Sequence, residues 1–196
     1  MKRRFSTLIL ITLFAFVLSA CDSNSDTNTI SSTDLSKMEN AILHTTSDDS
    51  FVFNFNIDNK YNEMSVKIEK YKKGELVDDT LNQLSLEVSD GKGTIIIASQ
   101  KDSDEVNHPT FNIGISSGGN TGSTIVSDND VNNKKGTVAS FQENDIPIED
   151  EEAVLAGIVM SKSENTSMSF QSNFYKDSSE MKKYDVVYLF KAKPIK

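Results

Sequence analysis

The stretch Phe51-Val52-Phe53-Asn54-Phe55-Asn56-Ile57 places an aromatic or aliphatic side chain at every second position, with asparagine between the later ones. Successive side chains of a β-strand point to opposite faces of the sheet, so this alternation predicts a strand with one buried face and one solvated face. The buried face of such a strand needs an apolar layer opposite it. The stretch therefore predicts an all-β fold whose sheets pack face to face.

The same period of two continues on both sides of this stretch. A glycine turn at Lys72-Lys73-Gly74-Glu75 predicts a hairpin, because glycine readily takes the positive φ of a tight turn. Residues 94–98 and 152–160 are apolar on both faces, which predicts central strands covered on each side. We expect a β-sandwich of roughly 8–10 mostly antiparallel strands. Further segments with strand character are 64–69, 84–88, 111–115, 138–141, 168–170 and 185–190.

One short helix is expected ahead of these strands. In residues 33–43, Leu35, Met38 and Ile42 recur at helical spacing, behind serine and threonine residues that can cap a helix. The length of the chain beyond this point suits one domain, so we expect a single β-sandwich domain over residues 33–196.

The N-terminus has the three parts of a signal peptide. A basic start at Lys2-Arg3-Arg4 precedes an apolar core over residues 8–18, and small residues follow. The core is shorter than the roughly 20 apolar residues of a permanent membrane-spanning helix. Residues 1–20 are therefore predicted to direct export.

The residues Leu18-Ser19-Ala20-Cys21 that end this segment resemble the lipobox of bacterial lipoproteins. The resemblance implies that the sulfur of Cys21 is lipidated and that Cys21 becomes the mature N-terminus. Two acyl chains on one cysteine are enough for stable anchoring, which would place the protein on the extracytoplasmic face of the cell membrane. The alternative is an ordinary secretory signal followed by a free thiol. Cys21 is the only cysteine, so no disulfide is expected.

The order of the segments 71–77, 146–148 and 183–189 resembles that of small uncharacterised lipoproteins of Gram-positive bacteria. This resemblance implies a location in the cell envelope and adds nothing about chemistry. Residues 21–32 contain a single large apolar side chain, Ile30, and are expected to form a flexible tether between the lipid and the domain.

The charge of the chain argues against nucleic acid as a partner. Removal of Lys2, Arg3 and Arg4 with the signal peptide lowers the formal net charge from -9 to -12. Such a surface repels phosphate backbones. Every basic residue after Arg4 is lysine, so the mature chain lacks the bidentate fork with which arginine binds phosphate.

One motif suggests a hydrolase. Gly114-Ile115-Ser116-Ser117-Gly118 matches the nucleophile-elbow pattern, in which Ser116 would be the nucleophile. The pattern needs a helix directly after the serine, whereas more glycine follows here. His44 and His108 both precede Ser116, while the elbow hydrolases place the acid and the histidine after the serine. A glycine-rich loop is the favoured interpretation, and a serine hydrolase that uses Ser116 is the remote alternative.

A second motif suggests calcium. Asp128, Asp130 and Asn132 carry oxygen ligands at alternate positions, as an EF-hand loop begins. Asn133 stands where the loop needs glycine, and Ala139 where it needs a closing glutamate. The segment therefore favours a solvated, Asx-rich turn, with a weak calcium site as the alternative.

Two other polar groups suggest no cofactor. The acidic run 149–152 is expected to keep the apolar strand that follows it soluble, although calcium could bind there. His44 lies near Asp48 and Asp49 in sequence, but His44 and His108 have no metal-ligand spacing. We expect no metal and no other cofactor.

Three functions remain compatible with the sequence. The first is a non-catalytic binding or protein-interaction module of the cell envelope, which uses loop 116–136 or a pocket lined by aromatic residues such as Phe111, Phe141 and Tyr175. The second is a structural or folding-assistance lipoprotein, which would expose a flat apolar patch. The third is the hydrolase with Ser116. The first is the favoured expectation.

Overall fold

The computed structural model describes residues 28–101, 108–131, 137–148, 151–162 and 173–196. Within these residues, eleven β-strands form two sheets, and every strand pairing is antiparallel. This confirms the predicted all-β sandwich, with slightly more strands than expected. The predicted signal peptide, Cys21 and the predicted strand 168–170 lie outside the described residues.

The first sheet contains six strands. They are Thr29–Ser32 (β1), Ser47–Asn56 (β2), Lys92–Gln100 (β5), Thr110–Ser117 (β6), Asn120–Ser127 (β7) and Ile146–Pro147 (β9). Their spatial order is β7-β6-β5-β2-β1-β9.

The second sheet contains five strands. They are Glu63–Lys72 (β3), Glu75–Glu87 (β4), Thr137–Gln142 (β8), Ala153–Ser161 (β10) and Val186–Ile195 (β11). Their spatial order is β4-β3-β11-β10-β8. Lys73 and Gly74 join β3 to β4 with φ values of 51° and 78°, so the predicted hairpin is confirmed.

The main core lies between the two sheets. The alternation in β2 turns Phe51, Phe53 and Phe55 inward, and all three are buried, as predicted. Phe190 of β11 reaches across from the other sheet, with its ring centroid 6.1 Å from that of Phe51 and 5.5 Å from that of Phe111. Burial of each such side chain stabilises the fold by about 1.5–3 kcal/mol.

A smaller apolar cluster covers the outer face of the second sheet. A 3-10 turn at Phe174–Lys176 and a short helix, Ser178–Met181, lie over Val187 and Leu189 of β11. Strand β10 is therefore covered on both faces, as its continuous apolar sequence predicts. The same prediction is wrong for β5, where Ile96 on the outer face is 40% exposed because nothing described lies over that face.

Helix α1, Lys37–Thr46, occupies the edge of the sandwich beside β2. Ser36 and Glu39 form a capping box at its start, in agreement with the predicted cap. Met38 and Ile42 are 73% and 58% exposed, so the predicted helix exists without burying the apolar residues that suggested it. No helix in the described part of the chain has the length and apolar character needed to cross a bilayer.

Two segments that were expected to be irregular belong to the first sheet. Strand β1 lies between β2 and β9, and Ile30 is fully buried, so the prediction of a tether through residue 32 is wrong for residues 29–32. One apolar residue is enough to hold β1 in the sheet because β2 and β9 form hydrogen bonds with its backbone on both sides. The prediction of a loop over residues 116–136 is wrong for its first part. There, Gly118 and Gly119 take positive φ and turn the chain from β6 into β7.

A buried ion pair joins the sheets near the end of β7. Asp128, directly after β7, faces Lys70 of β3 at 2.5 Å, and the Tyr188 hydroxyl of β11 donates to the same carboxylate at 2.8 Å. The Lys70 and Asp128 side chains are only 4% and 3% exposed. Burial alone raises the pKa of Asp128, but the hydrogen bonds from Lys70 and Tyr188 outweigh it and hold that pKa below its usual value.

We predict that Asp128→Ala lowers the free energy of unfolding by about 3–5 kcal/mol, because it removes the only buried counter-charge that the described residues give the Lys70 ammonium. Urea unfolding at neutral pH measures this loss. Asp130→Ala is the matched control: the Asp130 side chain is 78% exposed and 3.8 Å from Lys70, so its loss costs under about 1 kcal/mol. Equal effects of the two substitutions would contradict a stabilising role for the pair.

We also predict that this contribution depends on pH. Since the pKa of Asp128 is lower in the folded state, the stabilisation is fully present above the unfolded pKa of about 3.9 and is lost as pH falls through the lower folded pKa. The difference in unfolding free energy between the native chain and Asp128→Asn should therefore shrink below about pH 4. Urea titrations at pH 7, 4 and 3 test this, and a constant difference would refute it.

Candidate functional site

A cleft opens between the two sheets at the end of the sandwich where β2 begins and β5 ends. Its volume is about 400 Å³, and we call it the inter-sheet cleft. It is lined by Asp48, Asp49, Ser99, Gln100, Pro109, Thr110, Phe111, Val138, Ala139, Ser140, Ile158 and Met160.

The cleft forms where small side chains replace large ones between the sheets. On the inner face of β5, the buried residues Ile95 and Ile97 are followed by Ser99. On β8, Ser140 pairs with Ile158 of β10 and presents only a hydroxyl to the same space. Protein interiors are otherwise close-packed, so two small residues at this level leave a gap. Phe111, Ile158 and Met160 form its apolar floor.

A β-bulge places two carboxylates at the mouth of the cleft. Ser47 pairs with Gln100 and Ser50 with Ala98, so Asp48 and Asp49 together oppose the single residue Ser99. A bulge of this kind redirects side chains and interrupts the ladder of backbone hydrogen bonds. Ser99 supplies the missing bonds: the Asp49 N–H donates to Ser99 Oγ at 2.9 Å, and Ser99 Oγ donates to the Asp49 carbonyl oxygen at 3.4 Å.

One hydrogen bond crosses the mouth of the cleft from sheet to sheet. Ser140 Oγ of β8 donates to Asp49 Oδ1 of β2 at 2.6 Å. None of the described lining residues is a lysine, and no described lysine forms an ion pair with Asp49. Lys101 follows Gln100 in the chain, but its Nζ donates to the His44 carbonyl oxygen at 3.3 Å. The hydrogen bond from Ser140 therefore links β8 to the Asp49 carboxylate at the mouth.

The cleft and the first described residue lie at opposite ends of the sandwich. The Asn28 N–H donates to the Asn56 carbonyl oxygen at the far end of β2, whereas Asp48 and Asp49 lie near its start. The length of the strand between them is about 25 Å, at roughly 3.4 Å per residue. An apolar floor beneath a polar rim is the usual composition of a small-molecule site, so the cleft is suited to non-covalent binding.

Ser116 does not lie in the cleft. It lies near the end of β6, where its Oγ donates to the Asn120 carbonyl oxygen at 3.2 Å and accepts from Thr121 Oγ1 at 3.0 Å. His108 precedes β6, so most of that strand separates it from Ser116. His44 lies on α1, just before the cleft end of β2, and is likewise far from Ser116. The elbow pattern therefore lies on a hairpin turn, with no described histidine beside the serine.

The predicted calcium segment is an Asx turn, as favoured, and Asp130 in it is exposed, but Asp128 is buried. The Asp130 N–H donates to Asp128 Oδ1 at 3.1 Å, which is the expected Asx turn, while the Asp128 carboxylate is buried against Lys70. Asn132 lies outside the described residues. In the ranges that the structure describes, no group of three or more histidine, cysteine, aspartate or glutamate residues is arranged to hold a metal ion.

The described part of the acidic run belongs to an ion-pair cluster on the outer face of the second sheet. Lys67 of β3 and Lys191 of β11 are directly paired across the two strands. Their like charges would repel without nearby carboxylates. Glu152 lies 2.9 Å from Lys67, and the buried Glu69 lies 3.1 Å from Lys67 and 2.7 Å from Lys191. The charges compensate one another, so we assign the cluster a structural role. Glu149 and Asp150 lie outside the described residues.

The three aromatic residues expected to line one pocket are divided between two places. Phe111 lies on the floor of the cleft, whereas Phe141 stacks on Tyr175 in the outer apolar cluster at 5.6 Å between ring centroids. Burial, the charge of Glu143 and a 3.0 Å hydrogen bond to Glu143 raise the pKa of Tyr175 to about 12. The expected pocket is therefore replaced by a cleft with one aromatic residue.

The carboxylates of the cleft could not be singled out from sequence. Asp48 and Asp49 are adjacent, and their side chains reach one space only because of the bulge opposite Ser99. One feature of the sequence does set the two aspartates apart. The alternation of apolar and polar residues in β2 begins only after them. His44 lines a separate shallow depression on the other side of the same aspartates.

We predict that Ser140→Ala lowers the free energy of unfolding by about 1 kcal/mol, because it removes the hydrogen bond from β8 to Asp49. Amide hydrogen exchange should also quicken in β8, since this bond holds an edge strand. Ser123→Ala on the exposed side of β7 is the control and should change neither quantity. Unchanged exchange in β8 would show that the bond does not hold the mouth of the cleft.

Comparison with known protein families identifies one that matches this chain. The YgaN domain family matches residues 29–194, which covers both sheets from β1 to β11. The search of curated proteins finds no match, and the search of solved structures finds none either. Since the match spans more than half of the sequence, the chain belongs to the YgaN domain family.

Proposed function

We propose that this protein is a lipid-anchored, non-catalytic binding module of the cell envelope, which holds a small ligand in the inter-sheet cleft. The observation that carries the proposal is the composition of the cleft. An apolar floor of Phe111, Ile158 and Met160 lies beneath a mouth with two carboxylates, in a volume of about 400 Å³. Ligand sites typically have volumes of about 300–1,000 Å³ and this distribution of apolar and polar groups.

The sequence supports the anchored location. Cys21 is the only cysteine, and it follows an apolar core and small residues as the lipidated cysteine of a lipoprotein does. A single thiol in an oxidising compartment is a reactive liability unless it is modified. The family match begins at residue 29, so the folded domain begins shortly after this cysteine.

The arrangement of hydroxyl groups supports binding over catalysis. Both serines of the cleft are hydrogen-bonded to Asp49, Ser99 through the backbone and Ser140 through the carboxylate. A serine nucleophile instead needs a neighbouring base that takes its proton, usually a histidine. Ser116 bonds only within its own hairpin among the described residues.

A structural or folding-assistance role is the second candidate, and one observation favours it. Met38 and Ile42 lie one turn apart on α1 and are 73% and 58% exposed. Two large apolar side chains on one helix face are a contact surface for another protein. These two side chains form a smaller surface than the lining of the inter-sheet cleft, so we rank this function second.

We predict that Cys21→Ala releases the protein from the membrane, because the anchor is the lipid and not the folded domain. Fractionation of cells that express each form measures the release, and mass spectrometry of the mature native protein should show acyl groups on the first residue. Ser23→Ala, two residues later, is the control and should stay in the membrane fraction. An unmodified Cys21, or a Cys21→Ala protein that remains bound, would overturn the anchored location.

We further predict that the cleft retains small molecules from an envelope extract and that Val138→Trp abolishes this retention. Val138 lies at the mouth and is 46% exposed, so a larger side chain can cover the opening without disturbing the core. Gel filtration followed by mass spectrometry of the denatured protein identifies what is retained. Val77→Trp on β4, where Val77 is 50% exposed, is the matched control. Equal retention by Val138→Trp and Val77→Trp, or none by the native chain, would contradict the proposed role.

A further inference from the structure

Beyond the inter-sheet cleft, we propose that the outer face of the first sheet binds a neutral glycan chain, which lies across the strands along one row of hydroxyl and amide side chains. We call this row the polar row. Five strands contribute one residue each, and the strand registers align these residues side by side. The members are Ser31 of β1, Asn54 of β2, Thr94 of β5, Ser116 of β6 and Thr121 of β7.

The alternation of the strands places the polar row on the outer face. Asn54 precedes the buried Phe55, and Thr94 precedes the buried Ile95. Neighbouring side chains of one strand point to opposite faces, so the polar row points away from the core. Neighbouring strands lie about 4.8 Å apart, so the four steps across five strands cover roughly 19 Å. That length suits a chain of linked units.

A groove runs along the polar row. Its volume is about 840 Å³, and its lining residues differ from those of the inter-sheet cleft. Among the described lining residues, only Lys92 and Asp145 are charged. The groove is therefore mainly uncharged, on a chain whose formal net charge is -9. A neutral ligand avoids the repulsion that this charge exerts on an anion. The groove is lined by the hydroxyl and amide side chains of Thr29, Ser31, Asn54, Asn56, Thr94 and Ser116.

Hydrogen bonds within the polar row fix which groups donate to a ligand and which accept from it. Thr94 Oγ1 donates to Asn54 Oδ1 at 3.0 Å, and Thr121 Oγ1 donates to Ser116 Oγ at 3.0 Å. A hydroxyl has one hydrogen, so both threonines can then only accept from a ligand, whereas the Asn54 amide nitrogen can only donate. The ligand must therefore both donate and accept along the row. Sugar hydroxyls do both, while an ammonium only donates and a carboxylate only accepts.

An apolar row runs beside the polar row. Val52, Ile96 and Gly114 are aligned across β2, β5 and β6, two residues away from the polar row along each strand. The Ile96 side chain is 40% exposed. A sugar ring carries C–H groups on its faces and hydroxyls at its edges. Contact between a ring face and Ile96 removes apolar surface from water while the hydroxyls reach the polar row. The ligand class is therefore a glycan.

A panel of four neutral tetrasaccharides tests this inference on the whole mature chain: chitotetraose, cellotetraose, mannotetraose and maltotetraose. Titrations are followed by the backbone amide signals of Asn54, Thr94 and Ser116, with Gln100 and Ser140 reporting on the cleft. We expect at least one tetrasaccharide to shift the signals of the polar row. Its monosaccharide should bind about 10-fold more weakly, because one unit makes fewer hydrogen bonds to the row.

A single substitution tests the role of the polar row. Thr94→Val should weaken the best tetrasaccharide about 3- to 10-fold, because it removes one acceptor and the bond that orients Asn54. Valine keeps the branched shape of threonine and favours a strand, so the sheet is retained. Thr80→Val on β4 is the matched control: Thr80 is exposed on the second sheet, and its loss should leave the affinity unchanged. Urea unfolding of both variants checks the fold.

The outcomes separate this inference from the proposed function. Absence of any shift with all four tetrasaccharides, or shifts confined to Gln100 and Ser140, would overturn it. Equal weakening by Thr94→Val and Thr80→Val, or equal affinity of the monosaccharide, would overturn binding along the polar row. Val138→Trp should leave the glycan affinity unchanged. Glycan binding by a chain whose cleft retains nothing would support this inference and contradict the proposed function.

Discussion

The packing of Phe190 against Phe51 and Phe111 joins the two sheets, and the rest of the structure depends on it. Phe190 lies on β11, which pairs with β3 and β10, so its contacts bind the middle of one sheet to the middle of the other. The chain has one cysteine and hence no internal disulfide. Apolar burial between the sheets must therefore supply most of the stability that opposes the conformational entropy of the chain.

The two carboxylate sites between the sheets show how this core ends. Near the end of β7, Asp128 is fully enclosed and is matched by Lys70 and Tyr188, as a buried charge requires. At the start of β2, the core ends instead in the small residues Ser99 and Ser140, and a cleft opens between the sheets. The first site is closed and structural. The second is open, with one carboxylate oriented by the opposite sheet, and this difference is why we propose the cleft as the binding site.

Much of the fold could be predicted from sequence because it follows from local periodicity. The alternation in residues 51–57 and the turn at Lys73 and Gly74 each specify a strand or a hairpin without reference to the rest of the chain. Strand β1 could not be predicted in this way. Its single buried residue, Ile30, becomes a strand residue only because β2 and β9 lie on either side of it.

The candidate site was less predictable than the fold. The cleft depends on which residues of different strands face each other, and register is a property of the assembled sheets. Ser99 and Ser140 are far apart in sequence, and nothing local marks either of them as part of a cavity. The buried pair of Lys70 and Asp128 is hidden for the same reason, since each residue alone has the sequence context of an exposed one.

The inclusion of β1 in the first sheet determines how an anchored chain would be oriented. Seven residue steps separate Cys21 from Asn28, and even a fully extended backbone covers only about 25 Å over that distance. A lipid at Cys21 would thus keep the Asn28 end of the sandwich near the headgroups. The cleft, at the other end of β2, would open away from the bilayer, toward molecules that arrive from outside the cell.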